Sequence, residues 1–440
     1  MKSEVTIVGA GLAGSLMAIY LAKRGYGVHV YERRPDMRKG SAERGRSINL
    51  ALTTRGLHAL QEVGLADRLL KEFAIPVKGR LIHAVDGTTT FQSYGRHPDE
   101  VNYSVSRAEL NIALMNAAQS LPGVKFDFEH RCIGLDAETG ALEFERRHAT
   151  SLKLPTEVII GADGAFSAVR QQLQKLDRFD FHQEYLDWGF KELTIPASAS
   201  GRFALEAHAL HIWPRHDYMM IALPNLDGSF TCTLFLPFEG PHSFGAFNSP
   251  AEITEFFQST FPDALPLMPT LTDDFQRHPV SSLVSIRCAP WHVGSRVVLI
   301  GDACHAVVPF YGQGMNASFE DCSVLNACIG THVPNWAAVF NRFYDLRKRN
   351  TDALADLSRQ NFVEMRSKVA SPLFLLRKRV EKFLNRLFPN TFIPLYNMVT
   401  HTLIPYADAL ERAQRQDQWI ARGLIGLLVL TWLALSILGY

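Results

Sequence analysis

The sequence predicts an α/β protein in which a βαβ-type domain is interleaved with an antiparallel β-sheet domain and followed by a helical region. A glycine-rich turn near residue 9 separates a short apolar strand from an apolar helix. Residues 176–285 contain strand-like runs separated by Pro and NLDG turns. From about residue 334 the pattern becomes helical. The length of 440 residues and the hydrophobic content of 47% favour two or three domains.

The charge balance and the cysteines narrow the classes of partner. The chain carries 45 Lys and Arg residues against 44 Asp and Glu residues, so no overall field attracts nucleic acid or another polyanion. The 6 cysteines form no CxxC pair, which is typical of reduced thiols in a cytosolic environment. His83, His211 and the other histidines show no ligand spacing, and we expect no metal site.

The first βαβ unit carries the strongest local motif. Gly9, Gly11 and Gly14 make a GxGxxG turn at the start of a predicted helix over residues 12–23. The next predicted strand ends in Glu32. Glycines at these positions let a pyrophosphate approach the helix N-terminus, and the acid accepts hydrogen bonds from a ribose diol. The unit therefore predicts an adenine dinucleotide site.

The motif does not by itself choose between dinucleotides. Arg33 and Arg34 follow the acid directly, and they suit either the 2′-phosphate of NADP or a solvated surface. Two later strand–turn–helix stretches supply the distinction. In LPTEVIIGADGAFSAVRQQL, Asp163 lies on a tight glycine turn. In RVVLIGDACHAVVPFYGQGMN, Asp302 follows a strand, and a second glycine turn precedes a helix that begins near Asn316.

GxGxxG, GADG and GD, in this order and spacing, resemble the motifs of the class A flavin monooxygenases of the aromatic hydroxylase type. The resemblance implies a Rossmann-like FAD-binding domain of the GR2 type. It implies that Asp302 meets the ribityl chain and that main-chain amides of residues 312–316 meet the flavin ring, where they stabilise the charge of the reduced flavin. The FAD-binding set that it implies is Gly9, Gly11, Leu12, Ala13, Gly14, Glu32, Arg33, Arg46, Arg107, Asp163, Asp302, Gly312, Gln313, Gly314, Met315 and Asn316.

Four further blocks are similar to the kynurenine 3-monooxygenase family within that class. They are ERGRSINLAL, HIWPRHDYMMIALPNLDGSFTCTLFLP, PFYGQGMN and NFVEMRSKVASP. The resemblance implies hydroxylation of L-kynurenine to 3-hydroxy-L-kynurenine with FAD, transiently bound NADPH and O2, through a flavin C4a-hydroperoxide. The sequence has no second GxGxxG, and class A enzymes are similar in binding NADPH without a dedicated Rossmann domain.

The same resemblance implies the residues of a substrate site. Four residues would hold the amino-acid carboxylate of the substrate, and four would form an apolar wall around its anilino ring. No side chain is assigned a catalytic role, and Glu364 is a candidate positioning residue. From the residues alone, the arginine among them suits a surface or domain-bridging salt bridge, and the apolar ones suit a core. The carboxylate set is Arg80, Tyr94, Asn361 and Tyr396, and the wall is Phe235, Phe310, Met365 and Leu223.

One position departs from the family pattern. Bacterial members of the family often have histidine where this chain has Tyr311, which puts any histidine-dependent step at that position in doubt. We interpret His305, the nearest imidazole in sequence, as a structural partner of the turn, with flavin protonation as the alternative.

The predicted domains alternate along the chain. Residues 1–175 form the first segment of the FAD-binding domain, with 75–105 contributing to the substrate domain, and residues 286–345 form its second segment. The substrate-domain sheet occupies 176–285, and a helical region occupies 346–422. No internal repeat is visible in the sequence.

The C-terminal residues 423–440 contain no charged side chain, and as a helix they span roughly 27 Å, close to the thickness of a bilayer core. Aromatic residues bracket this segment and arginines precede it, which predicts a membrane segment with the catalytic body in the cytosol. A buried helix or an oligomer contact is the alternative. The N-terminus has no signal-peptide pattern. The resemblance implies the mitochondrial outer membrane in a eukaryote and the cytoplasmic side of the inner membrane in a bacterium.

Two other functions compete with this interpretation. One is a membrane-bound flavin oxidoreductase that acts on a larger apolar substrate, for which Arg80 would have no role. The other is a flavin-binding adaptor that docks a partner through its helical region without turnover. The three flavin motifs together with the polar carboxylate set argue against both.

Overall fold

The computed structural model describes residues 2–40, 49–95, 100–146, 149–364, 372–389 and 391–437. The strands are β1 (Lys2–Val8), β2 (Tyr26–Tyr31), β3 (Asn49–Leu52), β4 (Ala74–Val77), β5 (Gly79–His83), β6 (Thr89–Ser93), β7 (Asn102–Ser106), β8 (Val124–Asp127), β9 (His130–Asp136), β10 (Ala141–Arg146), β11 (Ala149–Pro155), β12 (Val158–Gly161), β13 (Asp180–Ile195), β14 (Ala209–Arg215), β15 (Tyr218–Pro224), β16 (Phe230–Pro237), β17 (Ser281–Ala289), β18 (His292–Val293) and β19 (Val297–Leu299).

The helices are α1 (Leu12–Lys23), α2 (Thr54–Glu62), α3 (Ala66–Phe73), α4 (Arg107–Gln119), α5 (Ala168–Leu173), α6 (Pro250–Thr260), α7 (Leu271–Arg277), α8 (Asp302–His305), α9 (Gly314–His332), α10 (Trp336–Val363), α11 (Pro372–Leu387), α12 (Leu395–His401) and α13 (Tyr406–Ile437). Short 3-10 helices cover Leu265–Leu267 and Pro309–Tyr311.

The first domain is built on a six-stranded sheet in the order β18-β19-β12-β1-β2-β8. β1 pairs in parallel with β12 and β2, and its apolar residues are fully buried. The predicted helix over 12–23 is confirmed, and it starts directly after the glycine turn. Because the carboxyl ends of parallel strands meet at one edge, the turns after β1 and β12 come together there.

The second domain is a seven-stranded sheet in the order β17-β13-β16-β15-β14-β5-β6. Two of its strands, β5 and β6, come from early in the chain, so the predicted interleaving of the two domains is confirmed.

Two details of this sheet differ from the sequence prediction. β14 and β5 pair in parallel, because β5 enters from the first domain and is not joined to β14 by a hairpin. Within residues 75–105, β4 and β7 form a separate three-stranded sheet with β3 and leave the substrate sheet to β5 and β6.

The helical region packs against both domains. α10 contacts α9 and α13, and Leu354, Leu357, Met398 and Tyr406 form a buried cluster. α13 continues through the predicted membrane segment as far as Ile437. Within the described residues, no helix has both the length and the apolar content needed to cross a membrane. Membrane attachment of residues 423–440 therefore stays a prediction.

Candidate active site

A groove of about 640 Å³ lies at the carboxyl edge of the first sheet. The turn after β1, the turn after β12 and the residue that follows β2 all open into it. Of the sequence-predicted FAD residues it brings together Gly9, Gly11, Glu32, Arg33, Arg107, Asp163 and Asp302, and it adds His130, Arg131 and Cys132, which the sequence did not single out.

The glycine turn fits a pyrophosphate. A Cβ atom on Gly14 would lie 2.0 Å from the Gly9 carbonyl oxygen, so only glycine lets the helix pack this close to the strand. Gly9 has a φ of +105° and a Cβ there would lie 2.5 Å from the Ala162 carbonyl oxygen. At Gly11 a Cβ would meet nothing within 4 Å, because this residue faces open space. Two glycines thus allow close packing, and the third leaves bare backbone for a ligand.

Glu32 is held as a carboxylate at the wall of the groove. Its Oε2 accepts a hydrogen bond from the Ala10 amide at 2.9 Å, and its Oε1 accepts from Arg34 Nε at 2.9 Å. Burial alone would raise the pKa of Glu32, but the charge and hydrogen bonds of Arg34 outweigh it, and the pKa lies below its ordinary value. Arg34 is therefore engaged by Glu32, whereas Arg33 is exposed at the groove.

Asp163 forms the cap of a helix as well as a wall of the groove. Its carboxylate accepts hydrogen bonds from Ser167 Oγ at 2.5 Å and from the Ala168 amide at 2.7 Å, at the start of α5. Burial raises the pKa of Asp163. Asp302 begins α8 directly after Gly301, which has a φ of +62°. Both acids thus lie on turns that follow buried strands, as the sequence predicts.

Hydrogen bonds hold the second glycine turn against β3, a strand of another sheet. Gly312 has a φ of +66°, and a Cβ there would lie 3.3 Å from that of Ala51. Asn316 accepts a hydrogen bond from the Thr53 amide at 2.9 Å and donates one to the Ala51 carbonyl at 2.8 Å. Tyr406 donates to Gln313 Oε1 at 3.1 Å. Leu12, Ala13 and Gly14 form the first turn of α1, and Gly314, Met315 and Asn316 form that of α9.

A buried ion-pair network holds the turn at Gly301, whose amide donates to Asp321 Oδ2 at 2.8 Å. His305 Nε2 lies 2.5 Å from Asp321 Oδ2, and Arg347 Nε donates to Asp321 Oδ1 at 2.7 Å. Burial alone would raise the pKa of Asp321, but the charges of His305 and Arg347 lower it. Cys304, His305 and Asp321 bring three possible ligand atoms within 4.8 Å of one another, yet both oxygens of Asp321 already accept hydrogen bonds. This geometry supports the interpretation of His305 as a structural partner of the turn.

An inner cavity of about 110 Å³ lies between the seven-stranded sheet and the second glycine turn. Six of the predicted substrate residues line it, namely Arg80, Tyr94, Leu223, Phe235, Phe310 and Tyr396. Tyr311, the position that departs from the family pattern, also lines it, as do residues that the sequence did not single out, namely Asn102, Phe190, Met219 and Ile221. Alternation along β15 places Met219, Ile221 and Leu223 on this face, whereas β16 turns most of its apolar residues to the opposite face and contributes Thr231, Thr233 and Phe235 to the cavity.

Arg80 lies at the polar end of the inner cavity beside two aromatic rings that stack on each other, those of Tyr94 and Tyr396. Its guanidinium carbon lies 4.9 Å from the ring centroid of Tyr396 and 5.7 Å from that of Tyr94. The Arg80 Nε donor is buried and has no hydrogen-bond partner within the part of the chain that the structure describes. Burial raises the pKa of Tyr94 well above its ordinary value, so its hydroxyl stays protonated. A charged donor set with an unused donor therefore faces an apolar chamber.

The remaining predicted residues lie nearby or outside the described ranges. Asn361 and Glu364 line an outer cavity of about 420 Å³, which shares Arg80, Tyr94, Tyr311 and Tyr396 with the inner one. Asn361 donates a hydrogen bond to the Phe310 carbonyl at 2.6 Å. Met365 and Arg46 lie outside the described residues. Asn102 was missed by the sequence analysis; it donates to Tyr396 Oη at 3.0 Å across 294 positions of sequence.

Comparisons with known proteins agree with this geometry. The FAD binding domain family matches residues 2–339. The chain is 48% identical over 435 residues to the kynurenine 3-monooxygenase of Salinispora tropica, with 98% of this chain and 96% of the relative covered. It is 44% identical over 421 residues to that of Dictyostelium discoideum, covering 93% and 90%. The fold is similar to tetrameric 2-methyl-3-hydroxypyridine-5-carboxylic acid oxygenase, with a TM-score of 0.69 at 20% identity, covering 85% of this chain and 96% of that one.

Proposed function

The chain belongs to the kynurenine 3-monooxygenase family of FAD-dependent monooxygenases, and from that premise we propose that it hydroxylates L-kynurenine at ring carbon 3. The observation that carries the proposal is Arg80, a cation whose buried Nε has no acceptor among the described residues and which lies at the end of an apolar cavity beside the second glycine turn. A small aromatic amino acid has the matching parts, since its carboxylate suits the guanidinium and its ring suits the cavity.

The groove residues would hold FAD along its length. The open backbone at Gly11 suits the pyrophosphate, and the ionised Glu32 suits the ribose diol. Asp302 and the turn at Gly312 would meet the ribityl chain and the flavin ring. FAD held there would supply the activation of O2, in which one oxygen atom would enter the substrate ring and the other would leave as water, with two electrons from NADPH.

The contribution of the protein side chains is orientation and exclusion of water. Arg80, with the hydroxyl of Tyr94, would fix the substrate carboxylate, and the position of that carboxylate would set where the ring lies. Phe235 and Phe310, whose ring centroids are 5.0 Å apart, would cover the ring and keep water from it. The amino group of kynurenine already donates electron density to the carbon that is oxidised. No general base is therefore needed to activate it.

The test is NADPH consumption by the purified yellow protein with and without L-kynurenine, with the product identified by mass. We expect a stimulated rate and a product heavier than the substrate by one oxygen atom. Kynuramine, which lacks the carboxylate, is the matched control, and it should stimulate the rate far less because it leaves Arg80 unpaired. Equal stimulation by both compounds would contradict the proposed site. Stimulation by an apolar lipid instead of kynurenine would favour the competing oxidoreductase.

We also propose that residues 423–440 attach the protein to a membrane with the catalytic body in the cytosol. The uncharged sequence of this segment and the arginines before it support the proposal. Deleting residues 420–440 should move the protein from the membrane pellet to the supernatant without changing FAD content. Retention of the truncated protein in the pellet would contradict it.

A further inference from the structure

A buried chain of polar side chains lies on the face of the seven-stranded sheet opposite the inner cavity. His83 Nδ1 lies 2.6 Å from Asp263 Oδ2, and His83 Nε2 lies 2.9 Å from His211 Nδ1. His211 Nε2 lies 2.9 Å from the Glu206 carbonyl oxygen. Both imidazoles are almost fully buried. Three hydrogen bonds therefore connect a carboxylate to a main-chain carbonyl through two imidazoles.

This series of hydrogen bonds, from Asp263 through His83 and His211 to the Glu206 carbonyl, needs one proton more than two neutral imidazoles supply. Each of its three bonds requires one hydrogen, and neither the carboxylate nor the carbonyl at its ends provides any. Two neutral imidazoles bring two hydrogens, so a third proton completes the chain. That proton belongs to His83, because burial lowers the pKa of His211 to about 4 and because His83 contacts the carboxylate of Asp263 directly.

The surroundings favour a cation at His83. Burial alone would raise the pKa of Asp263, but the hydrogen bonds from His83 and Trp213 outweigh it, so the carboxyl is ionised. The His83 ring stacks on Trp213 with centroids 4.1 Å apart, which suits an imidazolium. Two other charged groups are near. The Arg215 guanidinium donates to the His83 carbonyl at 2.9 Å, and its positive charge opposes that of an imidazolium. The Glu206 carboxylate acts to raise the pKa of His211, against the larger effect of burial.

The polar chain joins the strand that carries Arg80 to the buried part of the sheet. Arg80 and His83 lie three residues apart on β5 and therefore face opposite sides of the sheet. β5 pairs on one side with β14, where Leu210 is opposite Arg80. On its other side it has only the mostly exposed edge strand β6 as neighbour among the described strands. The contact between His83 and His211 thus ties β5 to β14, the neighbour that is itself buried.

We propose that the extra proton of the Asp263–His83–His211 chain positions Arg80, which makes His83 a positioning residue for binding the substrate carboxylate. The inference rests on the proposed function of Arg80. With the proton all three bonds are present, whereas without it the contact between the two imidazoles has no hydrogen. Affinity for kynurenine then falls, whereas the flavin turn lies on other elements and keeps its geometry. The polar chain ends on a carbonyl, so it activates no nucleophile.

The test compares KM and kcat for kynurenine between about pH 5 and 8, the range in which imidazoles usually titrate. In the unmodified holoenzyme we expect KM to rise with pH. In His83→Gln, and separately in Asp263→Asn, we expect KM at the lower pH to be raised about 5- to 10-fold, the size of a typical coupling between sites. In both variants the pH dependence of KM should be flattened, and kcat should stay within about twofold of the unmodified enzyme.

His29→Gln is the matched control. His29 Nε2 lies 2.7 Å from Asp127 Oδ2 in the first domain, so this variant also removes a histidine–aspartate pair. It should leave the KM for kynurenine and its pH profile unchanged. The proposal would be overturned if the KM of His83→Gln and of Asp263→Asn equalled that of the unmodified enzyme at every pH. It would also be overturned if KM rose and kcat fell in these variants by factors that do not change with pH.

A second measurement does not depend on turnover. Histidine ring 15N chemical shifts of the holoenzyme report how many protons each imidazole carries, and we expect one buried imidazolium that disappears in His83→Gln. Two neutral rings at pH 7 would overturn the inference even if kynurenine is hydroxylated. If the unmodified protein shows the imidazolium but does not bind kynurenine, the proposed function is at fault and with it the role assigned to the proton.

Discussion

The dinucleotide groove and the inner cavity have different kinds of wall. Two glycine turns, after β1 and after β12, contribute bare main chain to the groove, beside side chains such as Glu32 and Arg107. The cavity is formed by side chains from separate elements, among them Arg80 on β5, Phe235 on β16 and Tyr396 on α12. Where backbone packs on backbone, as at Gly9 and Gly14, there is no room for an added atom, whereas we expect substitutions in a wall of side chains to reduce function by degrees. The following changes test that difference.

The largest effect is expected for Gly14→Ala. The added methyl would lie 2.0 Å from the carbonyl oxygen of Gly9, which is backbone and cannot rotate away. We expect the apoprotein to lose about 3 kcal/mol or more of its free energy of unfolding and the purified protein to be colourless. Gly11→Ala is the matched control, since its methyl meets nothing within 4 Å. It should unfold like the unmodified apoprotein in urea but bind FAD more weakly. Normal FAD binding by Gly14→Ala would contradict the expectation that backbone packing at this position tolerates no added methyl group.

Arg80→Met comes next and should leave the fold and the yellow colour unchanged. Loss of two charge-assisted hydrogen bonds to the substrate carboxylate should raise the KM for kynurenine about 100-fold. Poorly positioned substrate should also increase the H2O2 released per NADPH consumed, measured with a peroxidase assay. Arg80→Lys keeps the charge without the planar fork, and we expect an intermediate KM. An unchanged KM in Arg80→Met would remove the carboxylate assignment.

Glu32→Gln should have a smaller effect, this time on the cofactor. The neutral amide is a weaker acceptor for a ribose diol, and we expect the Kd for FAD to rise about 10-fold. The pKa of Glu32 is lowered in the folded protein. The stability that its carboxylate contributes to the folded state is therefore complete above the unfolded pKa and is lost as the pH falls through the lower, folded pKa. FAD release from the unmodified protein on acidification, followed by flavin fluorescence, should therefore include a component that is missing in Glu32→Gln. Identical acid-release curves would argue against this role.

The smallest effect is expected for Tyr396→Phe. The ring over Arg80 remains, and only the hydroxyl that accepts from Asn102 at 3.0 Å is removed. We expect the KM for kynurenine to rise about threefold with kcat unchanged. Asn102→Ala removes the other partner of the same bond and should give a similar KM. A rise as large as that in Arg80→Met would mean that the hydroxyl contributes as much as the guanidinium.

The same contrast explains which parts of the molecule the sequence predicted. The helix over residues 12–23, the acid after β2 and the turns at Asp163 and Asp302 follow from local spacing, and the structure has them there. Membership of the substrate sheet was predicted less well, because β4 and β5 are separated by one residue and enter different sheets. Apolar alternation predicts that a strand has a buried face, but it does not indicate which element covers that face.

By itself the sequence determined the dinucleotide fold, because a glycine turn between a buried strand and a helix has few possible main-chain geometries, all encoded within a few residues. The tertiary structure decided which side chains meet. Asn102 reaches Tyr396 across 294 positions, and His83 reaches Asp263 across 180 and His211 across 128. Such contacts depend on strand order and register, which are set by packing of the whole sheet and carry no local pattern that links their partners.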